Sequence, residues 1–269
     1  MSVLICRREK VEHPFYLEHL GIHVHSSQEL CYCIFHHPIL FQDHFVSEEL
    51  LQFIRADLDM GYTAAKMERA IKAGEREDTL LLIFMQDCDY YSQAELAQFK
   101  QMMAALKKLP AHESACRLAD YFARSRQYGK AIKSYESLLT DADKRMEGSF
   151  IARIWYQLGV CYARIFRFDK AMDAFSHSYL KKKDSACLEK MYLLTRLDPE
   201  LTVKEFVKSD FTPEKEKVWD DSFTAAGEEA LRSPDLQQLY MLFDKDSIRR
   251  GEGMNQLVEK WKKEYRSMV

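Results

Sequence analysis

The sequence predicts an all-α, soluble protein made of short stacked helices. Three observations carry that expectation. Only nine glycines and six prolines stand in 269 residues, about half of average usage, whereas a sandwich or barrel spends both at every turn. Apolar residues make up 47% of the chain and charged residues 30%, which suits a core with long solvated helix faces. Helix-start signals recur along the chain: Ser26-x-x-Glu29, Ser92-x-x-Glu95 and Thr202-x-x-Glu205 are capping boxes, and Thr212-Pro213 and Ser233-Pro234 each set a cap before a first-turn proline.

Residues 1–75 read as a small, mostly helical module. Val3-Leu4-Ile5-Cys6 reads as a short strand. The alternation in Leu20-Gly21-Ile22-His23-Val24-His25 reads as another strand or an extended segment, so a short β-ribbon fits here. Ser26 opens a helix over 27–37, ended by His37-Pro38. Ser47 caps a helix to about Asp57, and Thr63 starts another that Gly74 closes. Asp78 starts the next, to about Asp87, and the helix capped by Ser92 runs to Pro110.

Residues 76–208 carry a repeat, clearest over 152–185. Trp155, Leu158, Gly159 and Tyr162 follow W-x2-L-G-x2-Y, and Ala171 and Phe175 supply A-x3-F at the expected distance. This window resembles a tetratricopeptide repeat, with Lys183 where that family usually has proline. A second copy over 112–145 has Leu118, Ala119, Phe122, Ala131 and Tyr135 in equivalent positions. Ala131 and Ala171 stand 40 apart, six more than the 34-residue repeat, and the excess falls in the connection 140–149. The flanking segments, including a helix over 185–197 and a short one from Thr202 to Lys208, read as degenerate hairpins.

Residues 209–269 read as three capping helices. Their apolar stripes are Trp219, Phe223, Ala226 and Ala230; Leu236, Leu239, Tyr240 and Phe243; and Met254, Leu257, Val258, Trp261, Tyr265 and Met268. The expectation is that these stripes close the end of the repeat stack.

The formal charge of −3 gives no basic footprint for nucleic acid. Seven scattered cysteines make no secreted-type disulfide framework and point to a reducing cytoplasm. Charges at Arg7, Arg8, Glu9 and Lys10 break any signal-peptide core, and the six-residue run Leu80–Met85 is far short of a membrane span. His13, His19, His23, His25, His36, His37 and His44 cluster with Cys31 and Cys33. However, Cys31 and Cys33, two apart on a helix, point away from each other, and no finger-type spacing occurs. Hydrolase, kinase and dinucleotide signatures are also missing from the sequence. No metal, cofactor or catalytic residue is therefore expected.

The repeat resemblance implies a superhelix whose concave groove, lined by the first helix of each hairpin, holds a peptide or helix of a partner protein. By position, the groove residues are Glu113, Asp120, Arg124, Arg153, Tyr156, Val160, Arg164, Lys190 and Leu194. Repeats that clamp chaperone C-terminal carboxylates use Lys and Asn where this chain has Cys116, Asp120, Tyr156 and Val160. The arginines Arg124, Arg153 and Arg164 would instead attract an acidic segment. The chain thus resembles the repeat-containing adaptors common in bacteria. A peptide-responsive regulator and a metal-dependent enzyme using the N-terminal His/Cys region are the alternatives.

Overall fold

A computed structural model describes residues 9, 11–42, 45–140, 146–244 and 246–269. The strand expected at Val3–Cys6 lies outside them, as do Cys6, His44 and residues 141–145 of the 140–149 connection. The chain forms two compact units, 1–114 and 115–269, and the boundary falls inside one helix, α6 (Ala111–Arg124).

In the first unit, β1 (Phe15–Leu17) and β2 (Ile22–Val24) pair antiparallel, Tyr16 opposite His23. Alternation sends Leu17 and Val24 inward, where both are buried, while Tyr16 and His23 stack outside at 4.9 Å. Gly21, at φ +69°, makes the turn. The helices are α1 (Ser27–His36), α2 (Glu48–Gln52), α3 (Gly61–Lys72), α4 (Glu77–Cys88) and α5 (Gln93–Lys107). Ser26, Ser47 and Ser92 each accept the backbone N–H expected of a cap. Beyond α2 the helix expected to run on to Asp57 changes to a π-helical turn over Phe53–Asp57.

Thr63 does not start α3, which opens at Gly61. Its hydroxyl is buried and donates to Asp87 at 3.0 Å, beside the Lys66 ammonium at 2.7 Å. Asp87 therefore ties α3 to α4, and the Asp78–Lys107 bond of 2.5 Å ties α4 to α5. Burial raises the Asp78 pKa, but the Lys107 hydrogen bond and the Lys107 and Arg76 charges outweigh it and hold the carboxyl below its ordinary value.

The second unit is wholly helical among the described residues. It contains the larger part of α6, then α7 (Tyr128–Thr140), α8 (Gly148–Arg164), α9 (Phe168–Lys181) and α10 (Ser185–Leu197). After them come the short α11 (Glu205–Lys208), then α12 (Pro213–Leu231), α13 (Pro234–Phe243) and α14 (Ser247–Met268).

The turns α6–α7 and α8–α9 are the same structure 40 residues apart. Gln127 N–H bonds to Phe122 C=O and Arg167 N–H to Tyr162 C=O. Arg126 and Phe166 hold the left-handed position at φ 59° and 61°, the geometry of a Schellman helix end. Both are non-glycine residues in a region that costs an L-residue about 1 kcal/mol.

Packing explains the small residues of the repeat. Ala131 and Ala171 are fully buried. A Cβ on Gly159 would lie 2.8 Å from the Phe175 ring, so α8 and α9 touch there because residue 159 has no side chain. Leu158, Tyr162 and Phe175 on this hairpin and Tyr135 on α7 are buried, each contributing about 1.5–3 kcal/mol of burial. Ser178 donates to the Ala152 carbonyl at 2.8 Å and locks α9 to α8.

Two expectations for the C-terminal part fail. Thr202 is not a cap, because α11 opens at Glu205 behind Lys204 with no side-chain cap bond. The three apolar stripes are largely uncovered: only Trp219, Leu242 and Leu257 are buried in α12–α14 among the described residues. Ala226, Ala230, Tyr240, Phe243, Val258, Trp261 and Tyr265 are exposed. The helices form where their signals place them, but most of their apolar surface finds no counterpart. No helix among the described residues is long and apolar enough to cross a membrane.

Candidate functional site

A cavity of about 320 Å³ lies between α6 and α8, with α7 behind it. Asp120, Ala123 and Arg124 come from α6, Tyr128 and Tyr135 from α7, and Gln157, Val160, Cys161 and Arg164 from α8. Four of the nine residues expected from sequence therefore meet here: Asp120, Arg124, Val160 and Arg164. Successive turns of two adjacent first helices bring them together, as helical periodicity requires.

Asp120 is already engaged. It accepts the Tyr135 hydroxyl at 2.5 Å and faces the Arg153 guanidinium at 3.7 Å. Arg153 also donates to the Cys116 sulfur at 3.1 Å and lies over the Phe150 ring. It therefore supports the cavity from outside its lining. Arg124 and Arg164 are exposed and form no ion pair with a described carboxylate. The cavity thus presents two uncompensated cations beside one neutralised acid.

Burial, reinforced by the bond to Asp120, pushes the Tyr135 hydroxyl far above the ordinary phenol value, so it stays protonated as a donor. Burial, with Asp120 nearby, pushes the Cys161 thiol up to about 12. A thiol held in that form is a packing group with little nucleophilic character.

The other expected residues lie elsewhere. Leu194 is 3% exposed and belongs to the interior. It is withdrawn from the groove, since a partner cannot reach it. Tyr156 is half-buried edge-on to Phe175 at 5.5 Å, and burial, then Cys187, Glu189 and Asp184, raises its pKa. Lys190 pairs with its neighbour Glu189 at 3.2 Å. Glu113 lies on the first turn of α6, within the first unit.

Sequence reasoning missed the second-helix contribution. Tyr128 and Tyr135 line the cavity from α7, whereas assignment by repeat position draws only on first helices. It also missed a wider cavity of about 570 Å³ on the other face of α8, between α7 and α9. There Trp155 stacks on His177 at 4.6 Å, and Tyr162 donates to Glu136. Lys170 lies 5.3 Å from the Tyr162 ring, and Asp173 is held by Lys204 at 2.8 Å.

Among the described residues, no three His, Cys, Asp or Glu side chains converge as a metal-holding group. The described cysteines are buried thiols, and none of them forms a disulfide. Comparisons with protein families, with curated proteins and with solved structures find no match to this chain.

Proposed function

We propose that the chain is a non-catalytic adaptor or scaffold of tetratricopeptide type, receiving an acidic segment of a partner protein between α6 and α8. The observation that carries this is the pairing around Asp120. Tyr135 and Arg153 occupy its carboxylate, which leaves Arg124 and Arg164 to attract carboxylates from outside. Guanidinium groups bind carboxylates in bidentate fashion and are enriched among residues that dominate interfaces. The duplicated hairpin turn and the Gly159–Phe175 contact support the repeat reading behind it.

The test is an affinity pull-down from the native cell, repeated with Arg124→Glu and Arg164→Glu. Each reversal should weaken capture at least about tenfold, because attraction becomes repulsion. Capture by the unaltered chain should also weaken as salt screens the pair. If both variants retain every partner, the cavity is not the binding surface.

A further inference from the structure

The bare C-terminal helices carry an inference that does not depend on the α6–α8 cavity. Helices that bury little surface are marginal in water, and exposed apolar surface of this extent marks an interaction face. Tyr240 is 51% exposed, Met241 62% and Phe243 53%, all on α13.

Charge is segregated on either side of that apolar centre. α13 packs against both α12 and α14. Acidic residues dominate α12, and Asp221, Glu228 and Glu229 form no ion pair there among the described residues. Basic residues dominate α14, where Lys263 and Arg266 are likewise without an ion pair. The layer therefore reads acidic flank, apolar centre, basic flank.

We infer that this layer is a self-association face whose occupant is a second copy of the chain. Turning one copy over by a two-fold axis sets its acidic α12 against the basic α14 of the other, twice, and apolar α13 against α13. A two-fold interface must be self-complementary in this way. A surface of uniform charge would oppose it. The size also fits. At 19 and 22 residues, α12 and α14 are about 28 and 33 Å long at 1.5 Å per residue. Three helices at ordinary contact spacing span about 25 Å. That face is on the order of the 800 Å² per partner found in stable interfaces.

The experiment is sedimentation equilibrium of the full chain from about 1 to 100 µM. The unaltered chain should populate a dimer in that range. Lys263→Glu with Arg266→Glu should weaken dimerisation at least about tenfold, and Glu228→Lys with Glu229→Lys should do the same. Mixing the two variants, or combining all four changes in one chain, should restore the dimer. These side chains are exposed, so far-ultraviolet circular dichroism should stay unchanged. Tyr240→Ala with Phe243→Ala, which leaves the charges alone, should weaken the dimer as well. A wild-type chain that stays monomeric throughout overturns the inference, and binding of that monomer to anionic lipid vesicles would reassign the face to a membrane. Charge-reversed chains that dimerise like the wild type overturn it equally.

Discussion

The hairpin α8–α9 and the layer α12–α14 are both helical, but they are held by opposite means. Neither α8 nor α9 has a side-chain cap, yet their shared face is buried around Gly159 and Phe175. In α12, α13 and α14 the order is reversed. Thr212, Ser233 and Asp246 each cap a helix, and prolines stand in the first turn of two of them, while almost nothing is buried. Tertiary packing makes caps dispensable in the first pair. In the second, local signals stand in for packing that this chain alone does not provide.

The largest expected effect tests that contrast directly. Phe175→Ala should cost about 3–5 kcal/mol, because it removes a fully buried ring and leaves a cavity between α8 and α9. Gly159→Ala should cost about 1–3 kcal/mol, since the added Cβ meets that ring and one of them must move. Tyr240→Ala, measured by denaturant melting at a concentration where the chain is monomeric, should stay within about 0.5 kcal/mol. A Tyr240→Ala cost approaching that of Phe175→Ala would mean α13 shares the hairpin core, and the contrast would collapse.

The same division explains what the sequence made legible. Ser26, Ser47, Ser92, Thr212 and Ser233 were readable as caps because a cap is local, needing only a side chain and an N–H two or three residues on. Gly159, Ala171 and Phe175 were readable because the repeat fixes their spacing. Pairings distant in sequence were not readable. Asp120 meets Arg153 across two helices, and that contact decides which arginines remain free. Leu194 fits a groove position by number, but the packing around α10 buries it. The turn at Phe53–Asp57 shifts the helical period by one residue, which leaves apolar spacing too short to register. β1 spans only three residues, too few for alternation to mark a strand. The uncovered stripes of α12–α14 are the clearest case, because periodicity announces an apolar face and not what covers it.

A smaller effect should appear at alkaline pH, and it belongs to the packed region. Tyr135, Tyr162 and Tyr179 donate their hydroxyls to Asp120, Glu136 and Asp210. Burial first, then those carboxylates, raises all three above the ordinary phenol value, Tyr179 to about 12. The folded state thus holds these protons more tightly than the unfolded one. Their stabilisation is complete below pH 10 and is lost as pH rises through the folded values. Thermal melting should therefore drop steeply from pH 10 toward 12. Tyr179→Phe should flatten part of that slope. An unchanged slope would show that this hydroxyl does not sense folding.

The smallest expected effect concerns the other region and reads how little of it is buried. Asp246 caps α14, accepting from Ile248 N–H at 3.1 Å and Arg249 N–H at 3.0 Å. Asp246→Ala should cost about 1 kcal/mol. Because little of α14 is buried, that cost should stay local: amide exchange over its first turns should quicken about fivefold, while the main melting transition should not move. The corresponding change at α8, Glu147→Ala, should leave amide exchange as it is, since Glu147 makes no side-chain cap bond. Should Asp246→Ala instead lower the melting point of the whole chain, α14 would have to unfold together with the hairpins. Its stability would then come from contacts with them, and a cap would be as dispensable there as it is on α8.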